Sequence, residues 1–158
     1  MIFSLICVLI IMFCIYIFSS QGGTNSSQLS IKASKVICRV IFFRYENMTG
    51  EQRSFIVNEL HYFIRKLAHF AIYMILGMFT YAALAPYKEE LKKPALISLI
   101  ICGVYAVSDE IHQYYIPGRE MRVTDMLLDT FGSLIGIIIV SVIIIVFSYI
   151  KDNWKKGA

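Results

Sequence analysis

Ionisable side chains gather at one end of three apolar stretches in this sequence. Those best suited to chemistry are Lys66, His69, Asp109, Glu110, Gln113 and Asp125. An imidazole beside carboxylates can transfer protons as a general acid or base, and it can also hold a divalent cation. A cation in the same place suits a phosphate or carboxylate instead. The residue types are therefore compatible with catalysis and with anion binding. Either function requires the three stretches to meet, so that these side chains form one site.

The spacing of these residues places them on single helix faces. One helical stripe contains Lys66, His69, Tyr73 and Gly77, and a second contains Asp125, Asp129, Gly132 and Gly136. Two small residues four positions apart let a neighbouring helix approach closely, so Gly132 and Gly136 predict a tight helix contact on the polar face. We therefore expect the polar stripes to point into the protein and to converge.

The amino-acid composition predicts that these helices lie in a membrane. Hydrophobic residues make up 58% of the 158 residues and charged residues only 16%, against roughly 25% charged in a soluble domain. The net charge of +4 does not indicate nucleic-acid binding, because the basic residues flank apolar runs and form no stripe with aromatics. Anionic lipid headgroups are the expected partners of this positive charge.

The apolar runs predict an all-α integral membrane bundle of about four transmembrane helices, with residues 1–158 as one domain. The predicted spans are residues 2–18, 65–84, 95–115 and 125–150. In an antiparallel bundle, the start of the second span, the end of the third and the start of the fourth lie at the same membrane surface. The ionisable residues are therefore expected on one side, whichever way the protein is inserted.

The region between the first two spans is predicted to lie outside the hydrocarbon. Residues 19–35 are polar and rich in Ser, Gly and Gln, which favours an exposed connection. Residues 36–64 mix apolar and charged residues, as in an amphipathic segment at the membrane interface. The first span lacks a preceding basic residue and a clear cleavage site, so we interpret it as an uncleaved anchor rather than a signal peptide.

The distribution of lysines predicts the orientation in the cell membrane. One side of a four-span bundle carries Lys88, Lys92, Lys93, Lys151, Lys155 and Lys156. Basic residues in short loops favour the cytoplasm, so both termini are expected there. The first connection also carries basic residues, but it is longer and they are mixed with acids. The polar cluster would then lie at the outer face.

Several motifs together resemble a known family. They are Tyr105 to Gln113 (Tyr-Ala-Val-Ser-Asp-Glu-Ile-His-Gln), Ile116 to Arg119 (Ile-Pro-Gly-Arg), Asp125, the stretch from Asp129 to Gly136, Lys66 with His69, and Ser20 with Gln21. The sequence resembles the VanZ-like membrane proteins, named for an accessory glycopeptide-resistance protein associated with teicoplanin. Glu120 to Val123 depart from the small residues common there in the family. The resemblance implies a cell-envelope role, and it implies that Ser20 and Gln21 reach the polar cluster.

The favoured hypothesis is a non-catalytic envelope protein that binds an anionic lipid or lipid-linked ligand at its outer face. The ligand would be a membrane lipid, a lipid-linked cell-wall precursor or a lipoglycopeptide, and the protein an accessory factor in teicoplanin resistance. The predicted ligand-binding residues are Lys66, His69, Asp109, Glu110, Gln113, Arg119, Asp125, Ser20 and Gln21. Arginine suits this role because its guanidinium can make two parallel hydrogen bonds to a phosphate or carboxylate.

Three alternatives remain open. A membrane enzyme acting on a lipid headgroup would use His69, Asp109, Glu110 and Asp125. No catalytic signature supports it, and no metal or cofactor is predicted because the sequence lacks a paired-histidine metal motif or a nucleophile elbow. A transporter is disfavoured because the charges lie at one end of the spans. A buried salt-bridged network with no ligand is the structural alternative.

Overall fold

The computed structural model describes residues 2–42, 44–85 and 91–157, and in these ranges the chain is helical without strands. The elements are α1 (Ile2–Ser19), α2 (Gly23–Ile41), a 3-10 turn (Tyr45–Asn47), α3 (Gly50–Leu84), α4 (Lys92–Tyr114) and α5 (Val123–Gly157). The predicted all-α fold is confirmed. The part of the predicted charged loop at residues 86–90, including Lys88, lies outside the described residues.

Four of these helices, α1, α3, α4 and α5, are long and apolar enough to cross a membrane. This agrees with a multi-pass membrane protein. Large apolar side chains on the outer faces, such as Ile143 and Phe147 on α5, are 59% and 66% exposed within the protein and are suited to contact with lipid. The 35 residues of α3 extend for about 52 Å, well beyond about 30 Å of hydrocarbon, so one end projects from the bilayer.

Residues 23–35 of the predicted exposed connection are helical, because α2 begins at Gly23, and most of the described side chains between Gln28 and Lys35 are exposed. The serines of α2 are not signs of a loop: Ser34 Oγ donates a hydrogen bond of 2.8 Å to the Ser30 carbonyl of the same helix. A buried cluster of Cys38, Tyr45 and Val57 then packs α2 against α3. The apolar residues of α2 recur with helical spacing within a polar sequence, and they account for its packing against α3.

The helix α3 begins fifteen residues before the predicted second span. Thr49 caps it: the Gln52 backbone N–H donates to Thr49 Oγ1 at 3.3 Å, and the Thr49 N–H donates to Gln52 Oε1 at 3.1 Å. This reciprocal pair is a capping box. The second half of the predicted interfacial segment is thus the first turns of α3, continuous with the spanning part.

The helices α3 and α5 run parallel to each other in backbone contact. A Cβ atom added to Gly77 would lie 2.2 Å from the Ser133 carbonyl oxygen, and one added to Gly136 would lie 2.0 Å from that of Met74. Ser133 Oγ also donates to the Tyr73 carbonyl at 3.1 Å. The predicted close contact at the glycines is present. It fixes the register in which the polar stripes of α3 and α5 face each other.

Candidate functional site

A polar cavity of about 430 Å³ lies at one end of the bundle, where α3, α4 and α5 meet the turn between α4 and α5. Its lining residues are His61, Tyr62, Arg65, Lys66, His69, Glu110, Gln113, Gly118, Arg119, Glu120, Arg122, Asp125, Leu128 and Asp129. The end of α4 and the start of α5 therefore converge on residues 61–69, which lie within α3.

Two contacts, each between a basic and an acidic side chain, join α3 to α5 across this cavity. Lys66 Nζ pairs with Asp125 Oδ1, and both side chains are about one quarter exposed. One helical turn deeper, His69 Nδ1 lies 3.5 Å from Asp129 Oδ2, and the Asp129 side chain is fully buried. The two contacts are one helical turn apart on both α3 and α5. This regular spacing is possible because the close contact at Gly77 and Gly136 fixes the register of the two helices.

Arg119 ties the turn after α4 to the end of α1. Its Nε donates to the Gln21 carbonyl at 3.0 Å, Nη2 to the Phe18 carbonyl at 2.9 Å, and Nη1 to Gln113 Oε1 at 2.9 Å. Burial, together with the nearby charge of Arg65, lowers the pKa of Arg119 to about 10, so it stays protonated at neutral pH. Much of its hydrogen-bonding capacity is therefore structural.

The turn between α4 and α5 is shaped by Gly118, whose φ of 76° lies in the left-handed region that favours glycine. It returns the chain over the cavity. Glu110 Oε2 accepts the Arg122 backbone N–H at 3.0 Å, and the Arg122 side chain pairs with Glu120 at 2.9 Å. The hydrogen bond to Glu120 raises the pKa of Arg122. Glu120 and Arg122, which belong to the segment that departs from the family pattern, thus still line the cavity.

A second, largely apolar cavity of about 340 Å³ adjoins the first between α1, α2 and α3. Apolar side chains such as Ile15, Ile64 and Ile72 form much of its wall. Both cavities are lined by Arg65, His69 and Arg119. The boundary between the polar and apolar spaces is therefore formed by two arginines and a histidine.

Sequence reasoning missed two residues at this site. Arg65 is not among the predicted site residues, yet it lines both cavities. Within the described part of the chain it has no ion pair or hydrogen bond. Asp129 was placed on the polar stripe but not among the site residues, although it is fully buried beside His69. Its position four residues after Asp125 on the same face was the available signal.

Most of the predicted site residues do come together. Lys66, His69, Glu110, Gln113, Arg119 and Asp125 line the polar cavity. Asp109 is buried beside it, and its Oδ2 accepts a hydrogen bond of 3.0 Å from Gln113 Nε2. Ligand binding by these residues stays a prediction.

The two residues after α1 lie beside the polar cavity, not on its wall. Ser20 Oγ is 3.0 Å from His112 Nε2, and the His112 ring also packs on Tyr16 with centroids 4.7 Å apart. Gln21 lines the apolar cavity and accepts from Arg119 through its carbonyl. His112 therefore contacts Ser20 and Tyr16 and does not line the polar cavity.

The fold and the cavity define a multi-pass helical membrane protein with a polar site at one end. The VanZ/LLP1 family model matches residues 3–146, so the chain belongs to the VanZ/LLP1 family. Among curated proteins and among solved structures, none matches the chain.

Proposed function

We propose that this protein binds an anionic lipid or lipid-linked ligand, with the charged headgroup in the polar cavity and the hydrocarbon in the apolar one. The observation that carries the proposal is the position of Arg65. This half-buried guanidinium lines both cavities and has no carboxylate partner among the described residues.

The polar cavity is lined by four Lys or Arg side chains and four Asp or Glu side chains, so unpaired positive charge is confined to particular residues. Lys66 is neutralised by Asp125, and Arg122 is paired with Glu120. Arg65 and Arg119 stand near enough for their charges to repel, and no carboxylate forms an ion pair with either within the described ranges. A phosphate or carboxylate between two guanidinium groups would relieve this repulsion and accept several hydrogen bonds.

The two cavities have the shape and polarity of an amphiphile site. Each lies in the range of about 300–1,000 Å³ typical of small-molecule sites. A hydrophilic ligand would use only the polar space and a simple hydrocarbon only the apolar one. The shared arginines favour a molecule that has its negative charge at the junction between a headgroup and a tail.

Membership of the VanZ/LLP1 family supports a role in the cell envelope and in glycopeptide resistance. We place the site at the outer face of the membrane, following the lysine distribution. Lipid-linked cell-wall precursors carry phosphate and a long hydrocarbon chain, and teicoplanin carries a lipid tail. Binding of such a molecule would change the access of the antibiotic to its target.

Binding is tested with purified protein in neutral detergent, titrated with phosphatidylglycerol and with phosphatidylcholine. We expect tighter binding of the anionic lipid, and about tenfold weaker binding in Arg65→Gln, since a charged hydrogen bond contributes about 1.5 kcal/mol or more. Arg44→Gln is the matched control, because Arg44 is exposed and lies on neither cavity wall. Equal affinity for both lipids, or equal losses in both variants, would contradict the proposal.

The resistance role is tested in cells expressing the protein or Arg65→Gln. We expect Arg65→Gln to lower the minimum inhibitory concentration of teicoplanin at equal protein level, with little change for vancomycin, which lacks the lipid tail. Arg119→Ala is less informative alone, because it also releases the end of α1. If neither antibiotic responds to the presence of the protein, the resistance role is wrong even where lipid binding holds.

A further inference from the structure

Three potential metal ligands meet at the polar cavity, one from each of three helices. Ligand atoms of His69 on α3, Asp109 on α4 and Asp129 on α5 all lie within 4.8 Å of one another. Their positions in the sequence are far apart, which explains why no ligand spacing is visible there. One imidazole and two carboxylates form a donor set used for divalent transition metals.

Asp129 supplies an independent observation that points to a ligand. Its side chain is 0% exposed, and neither carboxylate oxygen has a hydrogen-bond partner within the described ranges. Buried carboxylates are ordinarily paired or hydrogen-bonded, because burying one without a partner is energetically costly. The contact with His69 Nδ1, at 3.5 Å, is too long to be a good hydrogen bond.

We propose that His69, Asp109 and Asp129 bind one divalent transition-metal cation, Zn²⁺ or Mn²⁺. Two ionised carboxylates and a neutral imidazole balance the charge of such a cation. Ligand atoms about 2.1 Å from a metal are separated from one another by about 3–4 Å, so small side-chain rotations close the site. The carboxylate of Asp129 then gains a bond to the cation, in addition to its single long contact with His69.

Neighbouring side chains hold one of the proposed metal ligands in position. In known metal sites, hydrogen bonds to the ligating side chains orient them in the same way. Gln113 Nε2 donates to Asp109 Oδ2 at 3.0 Å, and Gln113 Oε1 in turn accepts from Arg119 at 2.9 Å. His69 and Asp129 line the polar cavity, so a cation between them borders that space. Water or a ligand oxygen from the cavity then completes the coordination.

The test is a calorimetric titration of the purified full chain with Zn²⁺, Mn²⁺ and Ca²⁺. We expect one Zn²⁺ or Mn²⁺ per chain, and weak Ca²⁺ binding because Ca²⁺ requires six or more oxygen ligands. Asp129→Asn and His69→Gln should each weaken transition-metal binding at least about tenfold. The matched controls are Asp152→Asn, which alters an exposed carboxylate on α5, and His112→Gln, which alters an imidazole outside the three-ligand cluster.

Thermal unfolding of the unmodified protein keeps the test decisive if a variant misfolds. We expect the unfolding temperature to rise with added Zn²⁺ or Mn²⁺ and to fall after chelation, because a ligand that binds only the folded state stabilises it. An unchanged unfolding temperature together with no bound cation would overturn the site and leave a metal-free His69–Asp129 contact. Arg65→Gln should retain the metal, so failure of the metal site and failure of lipid binding are separable.

Discussion

The contact between α3 and α5 is open to a sharp test at Gly136. Alanine there would place a Cβ atom 2.0 Å from the carbonyl oxygen of Met74 and 3.0 Å from the backbone nitrogen of Met78. Both neighbours are backbone atoms of α3, so no side-chain rotation relieves the overlap. The helices must separate by about 1 Å to reach the shortest tolerable distance.

The cost of this separation is set by the packing along the interface. Overpacking a well-packed interior costs about 1–3 kcal/mol, and we expect Gly136→Ala to lie at the upper end because the contact is backbone to backbone. The same displacement would draw Asp129 away from His69 and disturb both proposed binding sites. A small substitution far from the cavity should therefore reduce stability and ligand affinity together.

The assay is reversible unfolding of the purified protein in mixed micelles, with helicity as the signal. Gly103→Ala on α4 is the matched control, because its Cβ would meet Thr130 Cγ2 at an ordinary 3.7 Å. Replacing glycine in a helix by alanine stabilises it by up to about 1 kcal/mol, so the control should be neutral or stabilised. Equal unfolding free energies for the two variants would refute the close contact.

Other predictions follow from single contacts. Arg119→Ala should lower the unfolding free energy by about 2–4 kcal/mol and increase proteolysis after α1, because three hydrogen bonds to Gln21, Phe18 and Gln113 are lost; unchanged proteolysis would contradict this. Lys66→Met should destabilise by leaving Asp125 unpaired, and a double-mutant cycle with Asp125→Asn should return a coupling of about 1 kcal/mol or more; a coupling near zero would argue against the pair. Thr49→Ala should cost about 1 kcal/mol and speed amide exchange in the first turn of α3, and unchanged exchange there would exclude the capping role.

Much of the architecture is readable from the sequence because long apolar runs need a membrane and a helical backbone. The four spans were predicted within a few residues at most ends, and the glycine stripe predicted the α3–α5 contact. The helix α2 is hard to recognise in the sequence because its polar composition resembles that of a loop. The early start of α3 was available in the Thr49–Gln52 capping pattern, which the charged residues nearby obscured.

The members of the site were predicted better than their roles. Stripes and antiparallel packing are enough to bring Lys66, His69 and Asp125 to one end of the bundle. They do not reveal that two of the hydrogen bonds of Arg119 go to backbone carbonyls, or that Arg65 lines both cavities without an ion-paired carboxylate among the described residues. These properties depend on the rotation of each helix and on the path of the turn at Gly118, which only three-dimensional packing determines.

The proposed function requires an anionic amphiphile to lie across the two cavities. A photoactivatable phosphatidylglycerol with its reactive group in the acyl chain, crosslinked to the purified protein and mapped by peptide sequencing, tests this directly. The account predicts labelling of Ile64, Ala68 or Ile72 on the apolar cavity wall, with marked loss in Arg65→Gln. Labelling confined to outward-facing residues such as Ile143 and Phe147, and unaffected by Arg65→Gln, would contradict it.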